Sequence, residues 1–275
     1  MTKIIENPTI GSLPFLKWAG GKRWLVKNYN DFFPKKYNTY IEPFLGSGSV
    51  FFHMNPKKAI LSDVNSELIT TYKVIQNSWQ EIVEQLKIHH MNHSKEYYYT
   101  IRAQEPIENI DIASRMLYLN RTCFNAIYRV NKNGKFNVPI GSKNNVILDA
   151  DNFKNLSTIL KNATILNTDF ETTLSKAKKG DFVYVDPPYT VKHNDNGFIK
   201  YNENLFSWDD QIRLMNACTD AKNRGAIVMV SNADHESIHD IYKDFGKIEI
   251  VNRHSVIAAS SDKRKRTTEV LIMSV

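Results

Sequence analysis

The chain has 275 residues, 42% hydrophobic and 24% charged, so it is long enough to bury a sizeable core and its composition excludes a disordered or fibrous protein. Lys and Arg number 36 against 29 Asp and Glu, a net charge of +7 that favours a polyanionic partner. The two cysteines lack metal-ligand spacing, and no apolar run reaches the ~18 residues of a membrane span. We therefore expect a cytoplasmic protein with no membrane partner and no bound metal.

The first third of the chain has the order of elements of a nucleotide-binding βαβ unit. An extended run at 38–44 leads into the turn Leu45-Gly46-Ser47-Gly48, and a helical pattern follows at 49–54. The apolar run at 59–63 predicts a strand that ends at Asp63, and a helix begins near Ser66. Strand, glycine turn, helix, strand and acid in this order predict an α/β fold.

The middle of the chain has a different pattern, because residues 72–160 are mostly helical. Helices are predicted at 79–90 and 111–118, with a polar segment at 131–145. The α/β pattern resumes with strands at 163–167 and 181–185, a helix at 208–223 and a buried strand at 226–231. Alternating residues at 247–251 and 268–273 predict a closing antiparallel pair. The sequence therefore predicts one α/β domain with a helical insertion.

The tetrapeptide Asp186-Pro187-Pro188-Tyr189 follows the predicted strand DFVYV, at the strand end where open α/β sheets bind ligands. Prolines fix φ and lack an N–H, so the carboxylate and the Pro187 carbonyl make two acceptors without competing donors. Two acceptors suit an amino group with two hydrogens, and Tyr189 adds an aromatic face for a planar base. Taken alone, the segment also fits a plain loop with a turn acid.

The Gly46–Gly48 turn and Asp63 suit a small ligand. Glycines permit positive φ and close approach of a ligand to the backbone, which suits the zwitterionic part of a cofactor. The spacing is not the full dinucleotide fingerprint, so phosphate binding is poorly supported. Asp63, fifteen residues after Gly48, is placed to accept hydrogen bonds from a ribose diol. A tight turn and a strand-end acid are the alternatives.

Three further segments carry residues suited to nucleic acid. Lys17 and Trp18 precede a Gly-Gly turn and offer a donor and a stacking face. In the segment 119–129, Arg129 suits bidentate recognition of guanine. Phe124, Asn125 and Tyr128 suit supporting or filling a space left in a base stack. A turn at a helix end with solvated cations is the alternative. The basic run KRKR at 263–266 is either a phosphate-contacting loop or a solvated hairpin loop.

Together these segments resemble the Dam-type DNA adenine-N6 methyltransferases of the D12 class, which include methylase partners of some restriction endonucleases. The similarity covers residues 16–268. It rests on KWAGGK at 17–22, EPFLGSG at 42–48, SDVN at 62–65, LNR at 119–121, FNVP at 136–139 and DPPY at 186–189.

The resemblance implies a Rossmann-like S-adenosylmethionine-dependent methyltransferase sheet. A catalytic domain of residues 1–71 and 161–275 would bind the cofactor, and a mostly helical target-recognition domain would be inserted at residues 72–160. The catalytic group would be Asp186, Pro187, Pro188 and Tyr189, with Tyr184 and Tyr189 beside the target base. The residues implied to contact S-adenosylmethionine are Trp18, Lys22, Phe44, Gly46, Gly48, Asp63, Asp169, Phe170 and Asp186.

The resemblance also implies double-stranded DNA as the substrate. The DNA-binding residues would be Lys17, Phe124, Asn125, Arg129 and Pro139, with Phe124 and Asn125 intruding into the duplex and Lys17 and Arg129 reading guanines. A site containing GAT, such as GATC, is expected. Ser142-Lys143 stand where several GATC enzymes have Arg-Tyr or Lys-Tyr, and residues 193–202 differ from the Ser/Thr-rich loop of those enzymes, so a longer site stays open.

In this family the enzymes usually act as monomers, and a restriction endonuclease is a genetic partner in a bacterial or phage-infected cell. Three alternatives stay open from the sequence. Cytosine-N4 methylation uses the same acceptor pair, although related enzymes commonly have Ser in place of Asp186. A catalytically silent DNA-binding module on the same fold is the second, and methylation of RNA or protein is the third. Cytosine-C5 methylation is disfavoured because neither Cys123 nor Cys218 follows a proline.

Overall fold

The computed structural model describes residues 13–126, 128–131, 134–191, 206–254 and 266–274. Its strands are β1 (Tyr40–Glu42), β2 (Ala59–Asp63), β3 (Ala163–Asn167), β4 (Phe182–Val185), β5 (Ile227–Ala233), β6 (Lys247–His254) and β7 (Arg266–Met273). They form a seven-stranded sheet in the order β3-β2-β1-β4-β5-β7-β6. β1 pairs in parallel with β2 and β4, and β4 pairs in parallel with β5. β7 is antiparallel to both β5 and β6. The predicted α/β class is confirmed, with a mixed sheet.

The helices that the structure describes are α1 (Arg23–Asn28), α2 (Ser49–Met54), α3 (Ser66–Asn92), α4 (Lys95–Ala103), α5 (Asn109–Thr122), α6 (Phe153–Leu160), α7 (Phe170–Leu174), α8 (Trp208–Asn223) and α9 (Glu236–Tyr242). Short 3-10 turns cover Asn30–Phe32 and Phe124–Ala126. None of these helices is both long enough and apolar enough to cross a membrane.

Most predicted elements are present, and the differences have local causes. The two helices predicted from Ser66 and at 79–90 form the single α3, which is interrupted at Ser78 by non-helical backbone (φ −136°, ψ 40°). α4 and α6 were not predicted, because they begin in polar segments where the capping residue is the main signal. The Ser94 side chain accepts from the Tyr97 N–H, and the Asn152 side chain accepts from the Asn155 N–H.

The chain divides into two compact units. The first comprises the described parts of Met1–Val26, Gly46–Lys57 and Asn65–Ile165. In it α3 packs against α5 and α6. Gln76 ties α3 to the end of α6, because its side-chain amide donates to the Leu160 carbonyl (2.7 Å) and the Ala163 carbonyl (3.0 Å).

The second unit comprises Lys27–Leu45, Lys58–Val64 and the described parts of Leu166–Val275. Apolar side chains from β1, β4, β5, β7, α7, α8 and α9 form its core. α8 begins with a capping box in which Ser207 and Asp210 exchange hydrogen bonds. The domain boundaries predicted at residues 71/72 and 160/161 separate a catalytic from a target-recognition domain. These boundaries stay a prediction.

Candidate functional site

Asp186 follows a strand whose position in the sheet is fixed on both sides. All four side chains of β4 are fully buried, and the strand pairs with β1 and β5. Asp186, Pro188 and Tyr189 are partly exposed, whereas Pro187 is buried. The tetrapeptide therefore stands at the carboxyl end of a central parallel strand, where open α/β sheets bind ligands.

Tyr189 is anchored by residues of the antiparallel end of the sheet. Its hydroxyl donates to Glu269 Oε2 (2.7 Å) and lies 3.0 Å from Ser231 Oγ. Glu269 is 3% exposed and forms an ion pair with Arg253 (2.9 Å). Burial, followed by the Asp186 and Glu269 carboxylates, raises the pKa of Tyr189 well above its usual value. The phenol therefore stays neutral as a donor, and its ring position is fixed. The sequence revealed neither of these two partners of Tyr189, nor the Arg253 that pairs with Glu269.

Tyr184, which the resemblance places beside a target base, has no exposed surface in this structure. It lies within β4, and burial followed by the Asp186 and Glu42 charges raises its pKa well above the usual value. Glu42 is itself 3% exposed and accepts a hydrogen bond from the Tyr40 hydroxyl (2.8 Å). The role of Tyr184 beside a base stays a prediction.

Asp63 and Asp169 stand after neighbouring strands of the second unit. Asp63 ends β2 and is half-buried, and Asn167 braces this turn by donating to the Asp63 carbonyl (2.9 Å). Asp169 follows β3 and caps α7, because its carboxylate accepts from the Glu171 N–H (2.9 Å). The same carboxylate lies 3.2 Å from an Arg213 nitrogen. Both acids are therefore held at strand ends, as predicted, and Asp169 is already engaged in local contacts.

An aromatic cluster adjoins these acids within the second unit. Phe44 and Phe170 stack with centroids 5.5 Å apart, and Phe206 packs edge-on against Phe44 at 5.6 Å. The Arg213 guanidinium lies 4.9 Å from the Phe170 ring centroid. Phe170 is 3% exposed, whereas Phe44 is half-buried. Phe44 therefore presents the more accessible ring of the two predicted cofactor residues, and Phe170 supports it.

Trp18 and the glycine turn pack together within the first unit. A Cβ at Gly46 would lie 2.9 Å from Trp18 Cδ1, and a Cβ at Gly48 would lie 2.9 Å from the Tyr72 hydroxyl. Both glycines have positive φ (46° and 64°), and the Tyr72 hydroxyl donates to the Gly46 carbonyl (3.0 Å). The glycines are thus required by the turn and by close packing on the indole and the phenol.

Lys17 is exposed, but its backbone is clamped by a buried amide. The Asn120 side chain accepts from the Lys17 N–H (3.0 Å) and donates to the Lys17 carbonyl (2.7 Å). The neighbouring Lys143 ammonium, followed by burial and the charge of Arg23, lowers the pKa of Lys17 to about 8. Lys22, by contrast, is 3% exposed.

The segment between Phe124 and Pro139 displays its predicted DNA-binding residues on the surface. Phe124, Asn125, Arg129 and Pro139 are all exposed. Asn125 has φ 56°, a left-handed conformation that is uncommon outside glycine, and the Phe124 N–H donates to the Pro139 carbonyl (2.9 Å). A Cβ on Gly141 would lie 2.6 Å from the Cys123 carbonyl oxygen, so a glycine there allows the two ends of the segment to meet.

Tyr128 joins this segment to Trp18. The two rings stack with centroids 5.7 Å apart and planes 17° from parallel, and Phe136 packs against Tyr128 at 4.9 Å. The Tyr128 hydroxyl donates to the Glu67 carboxylate. Burial, followed by the Glu67 charge, raises the pKa of Tyr128. Tyr128 therefore supports two predicted groups of the first unit. These are the stacking face of Trp18 and the segment with the exposed DNA-binding residues.

Some residues singled out in the sequence lie outside the described part of the chain. They are Ile127 and Asn133 of the recognition segment, the loop at 193–202, and Lys263, Arg264 and Lys265 of the basic run. Their predicted roles stay predictions.

Comparison with known proteins gives consistent matches along the chain. The profile of the family described as D12 class N6 adenine-specific DNA methyltransferase matches residues 18–256. The chain is 36% identical over 280 residues to the Type II methyltransferase M1.LlaDCHI of Lactococcus lactis subsp. cremoris, with 98% of each chain covered.

Two other relatives match with similar coverage. The Type II methyltransferase M.MjaIII of Methanocaldococcus jannaschii is 36% identical over 285 residues, covering 95% of this chain and 98% of the relative. The DNA adenine methylase of Haemophilus influenzae is 32% identical over 274 residues, covering 96% and 94%.

Proposed function

Because the chain belongs to the family of D12 class N6 adenine-specific DNA methyltransferases, we propose that it transfers a methyl group from S-adenosylmethionine to N6 of an adenine flipped out of duplex DNA. The family makes it an adenine-specific DNA methyltransferase, which sets aside the cytosine-N4, RNA, protein and non-enzymatic alternatives. We propose three further points for this chain: the cofactor, the roles of single residues and the recognised DNA sequence.

The chemistry of the predicted residues fits S-adenosylmethionine. The cofactor has a planar adenine, a ribose diol and a charged amino acid end. Phe44, backed by Phe170, offers a ring face for the adenine, and Asp63 offers a carboxylate for the diol. Trp18, Lys22 and Asp169, with the Gly46–Gly48 turn, are proposed to complete the contacts. When bound, the cofactor would supply an electrophilic methyl group on a sulfonium, and the sulfur would be left as a neutral thioether that needs no protonation.

The observation that carries the proposal is the position of Asp186 and Pro187 directly after β4, at the carboxyl end of a central parallel strand. Adenine N6 is a poor nucleophile because its lone pair is delocalised into the ring. The Asp186 carboxylate and the Pro187 carbonyl would accept hydrogen bonds from the two N6 hydrogens. These two bonds favour a pyramidal nitrogen and free its lone pair for attack. Asp186 also offsets the positive charge that develops on N6, and alignment of the reacting atoms supplies further acceleration.

Tyr189 is proposed to form one side of the base site. Its hydroxyl is bound to Glu269 and lies beside Ser231, so the ring loses little conformational freedom when a base stacks on it. A base inside a duplex hides N6, so the adenine must leave the stack, at a cost of a few kcal/mol. Phe124 and Asn125, both exposed, are proposed to fill the space that it leaves.

We further propose that the site contains GAT, as in GATC, with Arg129 and Lys17 donating to guanine acceptors. Two relatives named Type II methyltransferase support a role in restriction-modification, in which a cognate restriction endonuclease is a genetic partner. From the family resemblance we also propose that the enzyme acts as a monomer.

The test is methyl transfer from labelled S-adenosylmethionine to duplex DNA, followed by hydrolysis to nucleosides. Label is expected only in N6-methyldeoxyadenosine. Methylation-sensitive sequencing of the same DNA then gives the surrounding sequence, expected to contain GAT. Label in cytosine, or no incorporation into any duplex while the cofactor still binds, would overturn the proposal.

A further inference from the structure

A cleft of about 570 Å³ in the first unit has an unusual charge balance. Among the residues that the structure describes, four cationic residues line it, together with a single acid, Asp151. That acid is already neutralised, because the Arg121 guanidinium binds both of its carboxylate oxygens, at 2.7 and 2.8 Å. The charges of Arg121 and Asp151 therefore cancel. This basic cleft keeps three further positive charges, those of Lys17, Arg23 and Lys143.

Lys17 and Lys143 both line the basic cleft. An ammonium is a donor only, so the two repel each other unless an acceptor lies between them. The lowered pKa of Lys17 is the expected result of that repulsion. No carboxylate among the described lining residues is left to relieve it, which leaves a place for an external anion.

Hydrogen bonds fix the backbone at or near the two lysines, and the side chain of Arg23, before any ligand arrives. Asn120 clamps Lys17, and an Arg23 guanidinium nitrogen donates to the Pro14 carbonyl at 2.7 Å. The Gly141 N–H donates to the Thr122 carbonyl (2.7 Å), which anchors the segment two residues before Lys143. Less ordering is therefore needed on binding than at three free surface side chains.

We propose that the basic cleft binds a backbone phosphate of the DNA substrate through Lys143 and Arg23, beside Lys17. The inference rests on the proposed function in that the ligand is duplex DNA. A phosphate carries a full charge and only acceptors, which matches three donors that repel one another. A guanine edge is neutral and offsets that repulsion less. A bound phosphate also keeps Lys17 protonated, as its proposed contact with guanine requires.

A phosphate contact carries no sequence information by itself. Lys143 therefore sets affinity and register on the duplex. It does not choose a base.

The experiment is a titration of the full chain with two fluorescent duplexes, one with and one without GATC, at several salt concentrations. The variant is Lys143→Gln, and the matched control is Lys154→Gln, an exposed lysine of α6 outside the cleft. Lys143→Gln is expected to weaken binding of both duplexes about tenfold. The slope of log affinity against log salt is expected to become shallower by about 0.9, the value for one phosphate contact. Lys154→Gln should behave as the unchanged chain.

Three other results would each contradict the inference, and they can be told apart. If Lys143→Gln binds both duplexes with unchanged affinity and slope, the cleft holds no phosphate. If only the GATC duplex is weakened and the slope is kept, Lys143 contacts a base. If the unsubstituted protein binds neither duplex, the proposed function itself fails. This result does not depend on the behaviour of either variant. Lys143 is exposed, so an unchanged thermal midpoint is expected and separates binding from folding.

Discussion

The end of β4 and the segment from Phe124 to Pro139 hold their key residues by different means. Around Asp186 the strand is fully buried, and the Tyr189 hydroxyl is bound to an almost completely buried carboxylate. Around Phe124 the proposed contact side chains are exposed, and backbone hydrogen bonds hold the segment. Side-chain geometry is thus fixed at the proposed catalytic residues. The proposed recognition segment instead fixes its backbone, and its exposed side chains can adjust to a duplex.

If this contrast is correct, substitutions at the end of β4 should affect rate or stability, and substitutions in the recognition segment should affect affinity or specificity.

Asp186→Ala is expected to lower the rate of methyl transfer about a thousandfold, because it removes one of the two acceptors for N6. The rate is measured in a single turnover with labelled cofactor and saturating DNA. The slope of DNA affinity against salt should stay unchanged. Asp220→Ala, at an exposed position of α8, is the control. A variant that retains a tenth of the rate would remove Asp186 from the chemistry.

Arg129→Ala is expected to reduce discrimination between duplexes that differ at the contacted guanine by about 1–3 kcal/mol. Arg129→Lys keeps the charge but loses the fork of donors, so it should retain the salt dependence and still lose discrimination. Competition binding measures both. The free energy of unfolding should change by less than about 0.5 kcal/mol, because the side chain is exposed. Equal loss on every sequence would mean that Arg129 contacts phosphate.

Tyr189→Phe is expected to lower the free energy of unfolding by about 1–2 kcal/mol, because a hydrogen bond to a buried carboxylate is lost. Urea denaturation measures this change. The rate of transfer should fall about tenfold as the ring gains freedom. A double-mutant cycle with Glu269→Gln should give a coupling energy of about 1 kcal/mol. Additive effects of the two substitutions would contradict the anchoring role.

DNA affinity is expected to weaken a few-fold as the pH rises from about 7 to about 9. In the free protein, the Lys143 ammonium, then burial and the charge of Arg23, lower the pKa of Lys17 to about 8, whereas the nearby Cys123 acts in the opposite direction. Lys17 is therefore charged below this pH and loses its charge above it. A bound phosphate raises its pKa, so binding takes up a proton. In Lys143→Gln the decline should start at higher pH, and the same onset in both proteins would contradict this account.

Local patterns predicted much of the fold. The bounds of α2, α8, β2 and β3 follow from apolar periodicity and from turn and cap residues. The short helices α1, α7 and α9 were not predicted, because five to seven residues carry too little periodicity.

The candidate site was predicted where the residues of a motif are adjacent in the sequence, as in Asp186-Pro187-Pro188-Tyr189. Its supports were not predicted. Tyr189 and Glu269 are 80 residues apart, and their contact depends on β7 lying between β5 and β6, which no local pattern indicates. The same holds for Lys17 and Asn120, 103 residues apart.

The position of β7 in the sheet has a consequence for biosynthesis. Tyr189 receives its partner Glu269 from the strand that is made last among those described, and β7 must insert between β5 and β6 before that bond exists. A nascent chain on the ribosome carries the whole Asp186-Pro187-Pro188-Tyr189 segment well before residue 269 emerges. Until then the phenol lacks the Glu269 carboxylate, so a chain truncated before β7 cannot fix Tyr189 as the structure shows it. The anchoring of this segment therefore waits for the synthesis of β7.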